Sequence, residues 1–524
     1  MKLKNHTLIS LLLFLMLFVC IGSVSAFEIQ TENISENNVI SISESPEILT
    51  ASASDDAVGV SSDENVISSD NRDWYVNASA ADGGNGSKFT PYKNFKSVLD
   101  NTNLQDGDTI YFAGKEKYTG NGINVNLDIS KKLNLLKYGS GEAVFDAEHN
   151  SGIFTVRASC INITGLTFIN GNANNGGAIY FSNAISNSNI NATYTNNTAN
   201  YGGANFFLNS VSDSNISGTY NHNTATKGYG GANFFLNSVS DSNITGTYIN
   251  NIASYGGANN LRVVSNSNIG GTYIYNTATR GNGGANNFQN RVSDSNITGI
   301  YINNTATNDN GGANYFMNSV SDSNISGTYN HNVAGYNGGA NYFLNSVSDS
   351  NIAGAYNYNT ATNDNGGANY FRNFVSDSNI SGTYNHNTAN YGGANYFLNS
   401  VSDSNISGTY NHNVAGYNGG ANYFMSVSGS NIAGTYIYNT ATKGNGGAFQ
   451  IQTLLEPTTT TSHTMVEQTS SLRFQIQILL EYITTTPQKI MVEQTDSIVF
   501  QIQILVEHIT TTPHYCMVEQ TTLG

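Results

Sequence analysis

The feature that most constrains this chain is a Gly-Gly-Ala triplet that returns every 26 to 28 residues. Its alanines are Ala178, Ala204, Ala232, Ala258, Ala285, Ala313, Ala340, Ala368, Ala394, Ala421 and Ala448. A period of this size marks one supersecondary unit per repeat, and such units bury their apolar faces only by stacking on one another. Between triplets the repeats align in columns. Isoleucine stands at Ile190, Ile216, Ile244 and onward to Ile432, and tyrosine follows four residues later, from Tyr194 to Tyr436. Asparagine comes three further on, from Asn197 to Asn439, and alanine two beyond that. A phenylalanine stands three after the triplets (Phe181, Phe207, Phe235), replaced by Leu261 and, after the last triplet, by Ile451. Nearly all length variation falls just before Gly-Gly, so one loop absorbs the insertions while the rest keeps register.

Bulky apolar columns at period two, in segments rich in Thr, Val and Tyr, predict strands. A helical solenoid of similar period fails on composition, because Gly, Asn, Ser, Thr and Tyr all weaken helices. A coil of about 27 residues holds three short strands and three bends, and each coil climbs one strand spacing, ~4.8 Å. The predicted fold is therefore all-β, a right-handed parallel β-helix of about eleven coils. The Asn197–Asn439 column reads as an internal ladder of amides, each bonded to the amides above and below.

The flanks differ from this body. Residues 1–26 combine Lys2 and Lys4, an apolar run from Leu8 to Ile21 and the small-residue site Val24-Ser25-Ala26, which describes a secretory signal peptide. Residues 27–73 are acidic, rich in Ser and Asn and poor in aromatics, a composition predicting a disordered spacer. Residues 74–175 are expected to cap the first coils. Strands are predicted there at Trp74–Val76, Thr109–Phe112, Leu133–Lys137 and Ile153–Val156. One short helix should carry Phe95, Val98 and Leu99 on one face, with Thr90 as N-cap and Pro91 at its first position. Residues 449–524 keep a period, with Met-Val-Glu-Gln-Thr starting at Met465, Met491 and Met517, yet lose nearly all Gly. Codons for Asn-Gly-Gly-Ala-Asn, read from their second base, encode that same pentapeptide. The tail is thus expected to be frame-shifted repeat sequence that leaves the helix, so that an uncapped coil at Ala448 offers free strand edges for self-association.

With the columns in place, two resemblances stand out. Tyr220-Asn221-His222-Asn223 with Gly230-Gly231-Ala232 resembles the F-x-x-N and G-G-A-I motifs of polymorphic outer-membrane-protein repeats, and Gly176-Gly177-Ala178-Ile179 matches the second motif outright. The segment from Trp74-Tyr75-Val76-Asn77 through Asp106-Gly107-Asp108-Thr109-Ile110 to Gly165-Leu166-Thr167-Phe168 resembles the start of archaeal adhesin-like proteins with pectate-lyase-type β-helices. These resemblances imply a cell-surface or extracellular adhesin-like protein that meets glycans or proteins of other cells. The fold alone implies less, since it hosts both lyases and binders.

The residues narrow the function classes. The net charge is −16, with no basic stripe, so nucleic acid is not an expected partner. A lyase needs a singular cluster of base and cation on one or two coils. Here the coils are near copies and the arginines fall in unrelated columns, so no catalytic residues, cofactor or metal are expected. An Asp column (Asp213, Asp241, Asp294, Asp322, Asp349, Asp377, Asp403) lies in Val-Ser-Asp-Ser-Asn, a turn sequence in which Asp bonds its own backbone. The His column (His222, His331, His386, His412) alternates with Asn and Tyr and reads as structural surface. If the Phe column points inward, its preceding neighbours point out: Tyr180, Phe206, Phe234, Tyr315, Tyr342, Tyr370, Tyr396 and Tyr423. Such a stripe is either a platform for sugar rings or a stack that only stiffens the sheet. The sequons at Asn215, Asn243, Asn296, Asn324, Asn379 and Asn405 share one repeat position and are candidate glycosylation sites.

Overall fold

The computed structural model describes residues 72–454, with strands also described at 459–466, 472–479 and 498–505. The signal-peptide and spacer assignments lie outside these residues, apart from Arg72 and Asp73. The chain forms an all-β parallel solenoid of about 13 turns, somewhat more than eleven because the N-terminal block contributes coils of its own. At one strand spacing per turn the stack is roughly 60 Å long.

Each repeat coil contributes to three sheets. The first contains Asn189–Thr195, Asn215–Asn221 and their successors, paired in parallel so that Ile190 meets Ile216 and Tyr194 meets Tyr220. The second contains Ile179–Phe181, Asn205–Phe207 and their successors, with Phe181 opposite Phe207. The third is narrow, eleven strands of two to four residues from Asn172–Asn175 to Thr440–Ala441.

Three left-handed corners join the sheets. Asp or Asn turns the first at Asn187 (φ 47°) and Asp213 (φ 48°); Asn, His or Tyr turns the second at Asn196 (φ 56°) and His222 (φ 54°). The first glycine of each Gly-Gly turns the third, as at Gly230 (φ 67°). Its neighbour is fixed differently: a Cβ on Gly231 would stand 2.1 Å from the Gly257 carbonyl oxygen of the next coil. The pair is thus one conformational and one steric requirement, which explains why it never varies.

Inside, the tyrosine column forms a continuous stack, with centroids 4.7–4.8 Å apart and planes within 2–7°. The Asn197–Asn439 column is the internal ladder the sequence predicts. Asn223 Nδ2 donates to Asn251 Oδ1 and to the Tyr194 carbonyl, both at 3.0 Å, while its Oδ1 accepts from Asn197 Nδ2 (3.0 Å) and Asn197 N (3.1 Å). A second buried ladder follows each triplet, Asn205–Asn233–Asn259–Asn286 and onward to Asn422, with Nδ2–Oδ1 bonds of 3.0 Å. In the sequence these residues stand out only as replacements for Ile in the Gly-Gly-Ala-Ile motif.

Three local expectations change. The helix is Phe95–Leu99, and its N-cap is Asn94, whose Oδ1 accepts from Ser97 N at 3.0 Å; the Thr90 carbonyl instead accepts from Asn85 N and Gly86 N in the preceding loop. The Asp corner is closed by the following serine rather than by Asp. Ser214 Oγ donates to the Ser212 carbonyl (2.6 Å) and accepts from Ser188 N (3.1 Å), which leaves Asp213 exposed at the turn.

The helix also does not stop at Ala448. Phe449–Leu454 pairs in parallel with Asn422–Ser428, Thr459–Val466 with Asn431–Ile437, and Leu472–Leu479 with Ile498–Leu505. A physical reason is that the tail keeps the repeat length although its residues differ. Leu472 meets Ile498, 26 positions on, and strand-forming residues still arrive at one-coil intervals. The free edge expected at Ala448 is therefore occupied by the chain's own next coil.

Candidate functional site

The outward stripe on the second sheet is the first site to test, and it is closed. Phe206, Phe234, Tyr315, Tyr342, Tyr370, Tyr396 and Tyr423 retain only 4–7 % exposure, and Tyr180 is half-buried. From Tyr315 to Tyr423 the rings stack face to face at 4.9–5.2 Å, within 6–11°. Leu344, Tyr391, Leu398 and Met425 pack over them. The earlier members meet at steeper angles, Tyr180–Phe206 at 45° and Phe206–Phe234 at 66°. Asn260 and Asn287 separate the two groups, buried and with amide atoms that have no partner. Alternation correctly gives the side of the sheet but cannot show what lies over it. The stripe is a stack that stiffens the sheet, not an open platform.

Exposed rings concentrate instead along the narrow third sheet. One edge is the second corner, where His331, Tyr358, His386 and His412 stack at 4.8–4.9 Å and Tyr438 follows at 5.0 Å. Burial, then the neighbouring His412, holds the His386 imidazole below its ordinary pKa. The other edge is the variable loop before Gly-Gly, which carries Tyr201, Tyr336 and Tyr417. Of the exposed large apolar side chains, Tyr201, Ile252, Tyr275, Tyr336, Tyr358 and Tyr417 all lie on this sheet or its two edges.

On the loop edge the repeat is broken by two aspartates on either side of a tyrosine that recurs at Tyr417. Asp309, Tyr336 and Asp364 occupy the second position before Gly-Gly in three successive coils, and the two aspartates are the only carboxylates in that column. Arg372 shares its column with Arg262, so the arginines do not all fall in unrelated columns; elsewhere the column holds residues such as Met317, Leu344 and Leu398. Asp309, Asp364 and Arg372 all act on the Tyr342 phenol. Burial pushes the Tyr342 phenol up to about 12, opposed by the Arg372 charge and hydrogen bond, while Asp309 and Asp364 push it further up. Burial also raises both carboxyls above their ordinary range, against the backbone N–H of Asn310 at Asp309 and the side chain of Asn337 at Asp364. Among the described residues Arg372 forms no salt bridge. The signal in the sequence is departure from column: comparing coils rewards what repeats, and the two aspartates matter because they do not.

The sequon asparagines form a third ladder on the outer face of the first sheet. Asn215 Nδ2 donates to Asn189 Oδ1 (2.9 Å), Asn243 Nδ2 to Asn215 Oδ1 (2.9 Å), and Asn405 Nδ2 to Asn379 Oδ1 (2.8 Å). Asn296 and Asn324 lie in the same run, as does Asn379. Each nitrogen is partly exposed but already a donor. The Asp column is exposed at its corner, and no group of three or more His, Cys, Asp or Glu placed to hold a metal occurs among the described residues.

No protein-family model and no curated protein matches the chain. Two solved structures align with it. A rhamnogalacturonan lyase covers 71 % of this chain and 84 % of its own, at 10 % identity and a TM-score of 0.22. The GH136 lacto-N-biosidase from Eubacterium ramulus covers 84 % of this chain and 68 % of its own, at 10 % identity and a TM-score of 0.18. Likeness at this level carries no argument about activity, and the solenoid stands on its own strand pairing.

Proposed function

We propose that this chain is an exported, adhesin-like surface protein without enzymatic activity, and that it binds glycans or other cell-surface molecules along the third-sheet flank. The observation behind this reading is the concentration of exposed rings on that flank. Aromatic side chains left open to water beside a rigid sheet suit the apolar faces of sugars and the apolar anchors of protein partners. The ladders beneath hold the rings at fixed pitch, so little ordering cost falls on binding. Sugars on the sequon asparagines of the first sheet would cover a different side and leave this flank free.

The test is a screen of the full chain against immobilised glycans and whole cells, followed by Tyr358→Ser with Tyr201→Ser. Binding that falls in the double variant at unchanged melting temperature supports the reading. Absence of binding to every glycan and cell type would sink it. Release of new reducing ends or unsaturated sugars from a bound polymer would overturn the non-enzymatic part.

A further inference from the structure

Resting on that reading, we propose that Asp309, Tyr336 and Asp364, with Arg372 beside them, form one localised subsite for a neutral hexopyranose unit of a glycan. The flank as a whole is repetitive, but this constellation occurs once.

The geometry begins with the backbone. The variable loop is tied from coil to coil by its own short ladder. Asn310 N donates to Asn282 Oδ1 (3.2 Å), Asn337 N to Asn310 Oδ1 (3.0 Å) and Asn365 N to Asn337 Oδ1 (3.1 Å). Tyr336 N donates to the Asp309 carbonyl at 3.1 Å, and Asn390 N to the Asp364 carbonyl at 2.7 Å. Three consecutive loops are therefore fixed relative to one another, although they are the least regular part of each coil. Their side chains start from preorganised positions.

Tyr336 lies in the middle coil and is 49 % exposed, with no ring among the described residues stacked on it. Asp309 lies one coil before it and Asp364 one coil after, so the carboxylates flank the phenol at a separation of roughly 10 Å, two strand spacings. A pyranose needs an apolar surface for its C–H face and acceptors at its rim for equatorial hydroxyls. The stacked loops place an exposed ring between two carboxylates of neighbouring coils, whose oxygens accept from Asn310 and the Asn337 side chain and have lone pairs to spare for hydroxyls. Arg372 hydrogen-bonds the Tyr342 phenol and forms no salt bridge among the described residues, so its remaining N–H donors suit a ring oxygen or a hydroxyl.

Charge chooses between sugar classes. Two carboxylates against one guanidinium leave the constellation net negative, which repels a uronate or sialic acid and favours a neutral unit. The partial burial that raises both carboxyls also strengthens any hydrogen bond they accept from a sugar hydroxyl. The sign in pH follows. The binding-competent state is ionised, so binding is retained above the raised pKa values and declines as pH falls through them.

The test uses the full chain and two probe sets of equal length, neutral hexose oligosaccharides and uronate oligosaccharides, with affinities from calorimetry. Asp309→Asn and Asp364→Asn should each weaken neutral-sugar binding about tenfold or more, since a hydrogen bond to a charged group is worth that much, and Tyr336→Ala should weaken it about as far by removing the apolar face. Asp349→Asn, the same charge change at a different corner, should bind as wild type. Melting temperatures should stay close to wild type in all four, because none of these side chains is in the core. Neutral-sugar binding that survives all three site changes overturns the subsite while leaving glycan binding intact. Preference of the wild type for uronates overturns the assigned sugar class. A wild type that binds no glycan of either set removes the functional reading and the subsite with it.

Discussion

The N-terminal block and the repeat body bury aromatic residues in opposite ways. Around Phe95 the rings meet edge to face, at 90° with Phe112, 71° with Phe154 and 69° with Phe145. In the body the Phe column stacks nearly parallel, at 4.4–4.7 Å and within 1–6°. The block solves a packing problem once, with different residues at every contact. The body solves it once per coil with the same residues, so each side chain is templated by its own copy. Polar groups follow the same division. In the block Asp108 alone accepts from Arg72 N, Gln105 N and Trp74 Nε1, whereas in the body the buried amides, Asn260 and Asn287 excepted, join ladders that run from coil to coil. A defect in the block should be local and particular, and a defect in the body should interrupt a chain of equivalent contacts.

The largest effect that tests this is a charge placed in the body core. Ile325 is fully buried between Ile297 and Ile352 in the isoleucine column. Ile325→Asp leaves a carboxylate with no partner and should destabilise the fold by more than about 4 kcal/mol. Chemical denaturation would show this as an early transition; a midpoint close to wild type would mean the column is not a continuous core.

Next in size is a break in the amide ladder. Asn332 Oδ1 accepts from Asn304 Nδ2 and N, and its Nδ2 donates to Asn359 Oδ1 and the Tyr301 carbonyl. Asn332→Ala removes all four bonds and strands buried groups on both neighbouring coils, at a cost of about 3 kcal/mol or more. Hydrogen exchange should quicken on the coils either side of the change, and quickening confined to the substituted residue itself would refute shared templating.

The block supplies the contrasting case in acid. Asp146 is buried, which alone would raise its pKa, but Lys117 Nζ at 2.6 Å, Asn170 Nδ2 at 3.0 Å and Glu148 N at 2.8 Å hold it below the ordinary value. A depressed carboxylate stabilises the fold above its unfolded pKa, and that contribution is lost as pH falls through the folded pKa. Wild type and Asp146→Asn should therefore differ in stability at neutral pH and converge below about pH 4. Parallel curves down to the acid limit would mean this network contributes nothing.

How much of this is legible in the sequence follows the same division. Strict columns expose the Ile, Tyr and Phe cores and the first amide ladder, because identical residues at identical phase leave few physical readings. The second ladder is present as a column from Asn205 to Asn422 but passes for a motif substitution. The face around Tyr342 is misread because period two fixes the side of a strand and not its cover, and here Leu344 and Leu398 fold over the rings. The Asp309–Tyr336–Asp364 constellation is invisible to column comparison, since it lies in the one loop where alignment between coils is loosest.

The smallest expected effect is at the first corner, and the chain already contains the control. Asp322 sits at φ 51° with its side chain exposed, while Asn187 and Asn266 occupy the same corner of other coils at φ 47° and 45°. The hydrogen bond that closes the corner belongs to Ser323, whose Oγ donates to the Ser321 carbonyl at 2.7 Å. Left-handed backbone favours Asp and Asn about equally, and the closing bond does not use the Asp322 charge. Asp322→Asn should thus leave stability within about 0.5 kcal/mol of wild type. Asp322→Val, equally small in reach but β-branched, should cost about 1–2 kcal/mol, because its Cβ substituents meet the adjacent carbonyl in this conformation. Thermal melts of the two variants separate the explanations. If Asn is silent and Val is not, the column repeats from coil to coil for backbone conformation. If Asn loses as much as Val, the carboxylates themselves act at this corner, and the row of exposed Asp residues has a role that the serine ladder does not account for.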